Sequence, residues 1–198
     1  MRLGRRRLGI GRVALWAALA LPALAIAGRW TLTPADYGFG HAIKQSGDWA
    51  AWLLLATLAV TPARLALGTR PFTRWLGIRR RDLGVASFAY AALHTAIYLA
   101  DKAGIVAILA EARGVDLLTG WLALVLFAPL AITSNDRSVR ALKRRWKGLH
   151  RLVYPAAVLV FVHWALTAFD PRTAYGHIAI LAAIETVRIA LQYRQRVT

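Results

Sequence analysis

Six apolar segments, each close to the roughly 20 residues that a helix needs to cross a hydrocarbon core, limit what this chain can fold into. They are Val13–Gly28, Trp49–Leu67, Leu83–Ala100, Leu117–Thr133, Leu149–Phe169 and Ala174–Tyr193. Inside a bilayer every backbone polar group needs a protein partner, so only helices and closed barrels span it. A barrel strand would be shorter and would alternate in polarity. The expected fold is therefore all-α: one polytopic membrane bundle of six transmembrane helices over residues 1–198, joined by short loops.

Charge sets the orientation. The flanks Met1–Arg12, Pro62–Asp82, Ser134–Arg151 and Glu185–Thr198 hold 21 of the 26 Lys and Arg. The alternate flanks hold Arg29, Lys44, Lys102, Arg113 and Arg172, with six of the nine acids. The positive-inside rule then places both termini in the cytoplasm, and a bacterial inner membrane is the expected location. Trp30, Trp49, Trp52 and Trp121 fall near the outer interface, and Trp75 and Trp146 near the inner one, as aromatic belts or as ordinary packing. A net charge of +17 also raises nucleic-acid binding, but 58% hydrophobic residues in long runs exclude a basic nucleic-acid module. The first 28 residues mimic a secretory signal, with Arg5-Arg6 hinting at a twin-arginine type. They are read as an uncleaved first helix that reaches the interfacial Trp30. The glycines from Gly4 to Gly11 follow no strand, so they form no dinucleotide fingerprint. The chain ends soon after the sixth segment, which leaves no room for a flavin or nicotinamide domain.

Cysteine is absent, which excludes disulfides, thiolate-held clusters and covalent c-type haem. A metal must rest mainly on His41, His94, His150, His163 and His177. An ionisable residue inside a span is costly and marks a functional candidate, although a bond to a nearby carbonyl also accommodates it. His94 on the third helix and His163 on the fifth each lie about six residues before the outer end, hence at similar depth. Two imidazoles at one depth on different helices can clamp a haem iron from both faces. His150 lies roughly 20 Å lower if the fifth helix is continuous, and about 140° around it from His163. It would serve a second haem, a propionate, a lipid phosphate or the interface alone. Its counterparts on the third helix are Arg80 and Arg81, which read as inner-side anchors or as residues facing a lower haem. His41 is expected in a solvated outer loop. His177 is a rival ligand to His163, and Glu185 and Arg188 are spaced to pair on one helix.

Four stretches together resemble the MsrQ family, haem-binding membrane subunits of the periplasmic protein-methionine-sulfoxide reductase system within the ferric-reductase-like transmembrane group. They are Thr57–Arg64, Arg81–His94, Leu130–Ser134 and Arg145–Tyr154 continuing to His163. The resemblance implies a haem b carrier with one or two haems. It implies electrons from the quinone pool or a cytosolic flavin reductase, passed to a separate periplasmic molybdenum enzyme that reduces methionine sulfoxide. It also implies an FMN, which the sequence does not locate. His94, His150 and His163 match the family histidines. The wider group carries a fourth histidine on the third helix that is missing here, and the arginine foot typical of MsrQ stands instead. From the residues alone, a transmembrane ferric or quinone reductase and a proton-coupled transporter with relay histidines remain alternatives. A reporter fused after Thr198 is expected to be active only as a cytoplasmic fusion; a periplasmic signal there would reject the helix count or the orientation.

Overall fold

The computed structural model describes residues 2–102 and 104–197, with side chains from residue 11 onward. The side chains of the basic leader, Arg5 and Arg6 among them, lie outside the described residues, as do Met1 and Thr198. Among the described residues there are nine helices and no β-strand. Six stretches are long and apolar enough to cross a membrane. They belong to α1 (Arg2–Leu32), α2 (Phe39–Leu67), α3 (Pro71–Asp101), α5 (Val115–Ile132), the pair α7 (Arg144–His150) with α8 (Val153–Thr167), and α9 (Arg172–Val197). Large apolar side chains such as Val13, Leu21, Val125, Ile132 and Ile189 face outward. Such a surface fits lipid rather than water, and the chain is a multi-pass membrane protein.

The helices outrun the apolar segments. Helix α2 starts at Phe39 rather than Trp49, and α3 at Pro71 rather than Leu83. Hydropathy marks the part of a helix that lies in lipid, whereas the hydrogen-bond ladder continues through polar residues. Pro71 stands in the first turn of α3, where its missing N–H costs nothing. Thr73 Oγ1 donates to the Gly68 carbonyl at 2.6 Å and accepts from Arg70 N–H at 3.0 Å. Gly68, at φ 68°, makes the turn between the two helices.

The fifth span is interrupted. Pro155 has no N–H for the Arg151 carbonyl, which accepts from Tyr154 N–H at 3.1 Å instead. The ladder breaks at Arg151 and Leu152, so His150 ends α7 while His163 sits on α8. The expectation of one continuous helix carrying both is thereby corrected. Two short helices also join the spans: α4 (Ile105–Glu111) between α3 and α5, and α6 (Asp136–Leu142) at the basic end. Lys102 and Tyr98 both bond Glu111 at 2.9 Å, which anchors α4 to the end of α3 and holds the Glu111 carboxyl below the usual range.

The core forms where α2, α5, α8 and α9 meet, around Leu54, Leu58, Phe127, Ala157, Phe161 and Leu181. Helix α3 packs along α2, and Ser87 donates to the Ala50 carbonyl at 2.8 Å. Helix α1 is held by two side chains of α3. The Tyr90 hydroxyl accepts from Ala23 N–H at 3.0 Å and donates to the Leu19 carbonyl at 2.7 Å, entering the ladder beside Pro22. Asp82, 5% exposed, accepts from Arg12 at 3.0 Å and Trp16 at 3.3 Å and pairs with Arg79 at 3.5 Å. Asp82→Ala is expected to cost on the order of 3 kcal/mol, because it breaks a buried ion pair, with a smaller loss for Asp82→Asn. Thermal unfolding in detergent, with protease access to α1, measures it.

Candidate functional site

The upper site is assembled from four helices. His94 on α3 donates from Nδ1 to the Ile43 carbonyl of α2 at 2.9 Å. His163 on α8 donates from Nδ1 to the Asp116 carbonyl of α5 at 2.7 Å. A carbonyl only accepts, so each Nδ1 carries the proton and each Nε2 keeps its lone pair in the neutral ring. The two rings lie 6.3 Å apart between centroids, with planes at 84°. A metal–imidazole bond is about 2 Å and the ring centre lies about 1 Å behind its nitrogen. Two imidazoles on opposite sides of one ion would therefore have centroids about 6 Å apart. Both rings line one cavity of about 600 Å³, hollowed by Gly47, Ala50, Ala51, Ala91, Gly120 and Ala123. This set fits a flat, metal-centred cofactor held from both faces. Among the described residues no cluster of three or more His, Asp or Glu gathers as a metal site.

The lower site differs. His150 stacks on Trp146 at 3.9 Å, and Trp146 Nε1 donates to the Thr133 carbonyl at 3.0 Å. The Thr133 hydroxyl donates to the Pro129 carbonyl at 2.6 Å, so the 3.1 Å contact with His150 is a donation from Nε2–H to Thr133. Arg80 donates to the Thr57 carbonyl at 3.1 Å, and Arg81 pairs with Asp136 at 2.6 Å. These three residues line a cavity of about 730 Å³ with Arg64, Arg79 and Arg151. Its chemistry suits the carboxylates or phosphate of an anionic ligand. It presents guanidinium groups, and a histidine whose Nε2 is engaged, rather than two bare imidazole nitrogens.

The remaining candidates lie elsewhere. His177, 6% exposed, donates from Nδ1 to the Thr173 carbonyl of its own helix at 2.6 Å. Its ring sits in a box of Trp52, Trp164 and Phe161, at 4.3, 4.5 and 6.4 Å, and it does not line the upper cavity. His41 is exposed in the first turn of α2 and stacks on Tyr37 at 5.8 Å. Glu185 and Arg188 pair on α9, with the guanidinium 4.0 Å above the Tyr154 ring. The sequence reading did not single out the Ile43 and Asp116 carbonyls or the two glycines beside the histidine rings. Its only trace of them was glycine inside or next to an apolar segment, a mark of close approach.

A family described as "Ferric reductase like transmembrane component" matches residues 46–161. A protein of Rhodospirillum rubrum, called protein-methionine-sulfoxide reductase heme-binding subunit MsrQ, is 35% identical over 192 residues, covering 90% of this chain and 88% of that protein. The protein of the same name from Rhizobium meliloti is 40% identical over 150 residues, covering 68% of this chain and 67% of its own. That of Ralstonia nicotianae is 35% identical over 193 residues, covering 94% and 83%.

The hydrogen bond and charge of Arg81 hold the Asp136 carboxyl below its usual range. A depressed folded-state pKa contributes stability that is present above the ordinary carboxylate range and lost as pH falls through the lowered value. Asp136→Asn should therefore melt below wild type at neutral pH and converge with it in acid, read as unfolding temperature against pH.

Proposed function

The chain belongs to the MsrQ family of ferric-reductase-like transmembrane proteins, and on that premise we propose that it is the haem-binding membrane subunit of a protein-methionine-sulfoxide reductase system. One observation carries the reading: two imidazoles, each with Nδ1 held by a helix carbonyl and Nε2 bare, stand 6.3 Å apart over one cavity. Haem b ligated on both faces supplies one-electron transfer with no open coordination position for oxygen chemistry. His94 and His163 would be its axial ligands. The carbonyl bonds of Ile43 and Asp116 would fix the tautomer and raise the basicity of each ligand.

The lower cavity is the proposed seat of a second cofactor near the cytoplasmic face. The family resemblance offers a second haem, with His150 as ligand after release from Thr133, or an FMN. Arg80, Arg81 and Arg151 would neutralise the propionates or phosphate. The proposed route runs from the quinone pool or a cytosolic flavin reductase, through the lower cavity to the upper haem, and on to a periplasmic molybdenum-containing reductase. Both termini then face the cytoplasm across a bacterial inner membrane.

Purified protein should show a Soret band that sharpens and shifts on reduction. His94→Ala and His163→Ala should each lose the upper haem, whereas His177→Phe, filling the aromatic box, should keep it. Haem per polypeptide decides; full wild-type haem in both alanine variants would overturn the pairing. His150→Ala should keep the upper spectrum but slow its reduction by quinol or flavin reductase.

A further inference from the structure

Each histidine of the upper site leans on its neighbouring helix in the same way. His94 bonds the carbonyl of Ile43, and the next turn of α2 presents Gly47. His163 bonds the carbonyl of Asp116, and the next turn of α5 presents Gly120. In an α-helix the carbonyl of residue i already receives the N–H of residue i+4. The histidine Nδ1–H must therefore approach over the surface of residue i+4, along the side its Cβ would occupy. A Cβ built at Gly47 would lie 3.1 Å from His94 Nδ1, and one at Gly120 would lie 2.8 Å from His163 Nδ1. Against alanine the His163 ring must shift, and the His94 ring must give by a few tenths of an ångström. At Gly28, by contrast, an added Cβ meets nothing within 4 Å.

We propose that Gly47 and Gly120 are positioning residues of the haem site, each leaving the gap through which its histidine reaches a helix carbonyl and so setting the tautomer and donor strength of the axial ligand. The inference rests on the reading of His94 and His163 as the ligand pair. Two helices that line the cavity carry the same carbonyl-and-glycine spacing, which packing alone does not require. With the gap filled, the ring is pushed from the carbonyl, by a few tenths of an ångström at Gly47 and further at Gly120. The Nδ1–H···O bond is stretched or lost, and the imidazole becomes a weaker donor to iron. A weaker donor favours the ferrous state, so the midpoint potential rises.

The test compares Gly47→Ala, Gly120→Ala and the control Gly28→Ala in detergent-purified full-length protein. Alanine favours helix over glycine, so insertion and the elution profile should be retained. Haem affinity is expected to fall about 10- to 100-fold, the usual cost of losing a partner that orients a metal ligand. A tenfold loss of ferric preference would read as a rise of about 59 mV in the midpoint potential. Gly120→Ala should exceed Gly47→Ala, as its contact is the shorter, and Gly28→Ala should match wild type. If Gly120→Ala is not recovered folded, Gly47→Ala, whose ring need give only a few tenths of an ångström, carries the test. Unchanged affinity and potential in both variants, with haem still lost in His94→Ala and His163→Ala, would overturn the role of the glycines while leaving the ligand pair intact. Wild-type haem retained in both histidine variants would overturn both.

Discussion

An imidazole in the hydrocarbon region has two nitrogens to satisfy, and the way each upper histidine disposes of one decides what the other can do. His94 and His163 give Nδ1–H to carbonyls of helices they do not belong to. Those bonds join α3 to α2 and α8 to α5 at one depth, leaving the Nε2 atoms for a shared cavity. The packing serves this arrangement. Small residues hollow the space between the four helices, while Phe127, Phe161 and the leucines of α2 fill the core. His150 shows the contrast: with Nε2–H given to Thr133 and its face covered by Trp146, it is held as a donor.

Charge is distributed with the same economy. Asp82 of the α3 foot ties Arg12 of α1 into place, and Asp136 of α6 does the same for Arg81 of that foot. The arginines around the lower cavity remain in excess, so an anionic group entering there gains more cationic partners than it must share. The basic end of the molecule is thereby also the end suited to anionic groups.

The spans, their number and the prominence of His94, His150 and His163 were legible in the sequence, because hydropathy and intramembrane titratable groups leave strong one-dimensional signals. The break at Arg151–Leu152 was less so. Only the rerouted Arg151 carbonyl shows that α7 and α8 are separate helices. The early starts of α2 and α3 escaped hydropathy because Phe39–Asp48 and Pro71–Asp82 are helical without being uniformly apolar. The least legible feature was the second support of each ligand. A backbone carbonyl has no residue type, so Ile43 and Asp116 could not stand out, and the glycines that admit the rings reveal themselves only when two helices are placed side by side. His177, the rival ligand, keeps its ring among three aromatic neighbours and outside the lining of the upper cavity.

The imidazole planes of His94 and His163 cross at 84°, and a haem iron held between them would have crossed ligand planes. Low-temperature electron paramagnetic resonance of the oxidised, purified protein tests it most directly, because crossed axial ligand planes leave the iron orbitals nearly degenerate. The account predicts a low-spin ferric signal of strongly anisotropic type, dependent on both His94 and His163. A high-spin ferric signal from the upper site, or a low-spin signal that persists when either histidine is replaced, would contradict it.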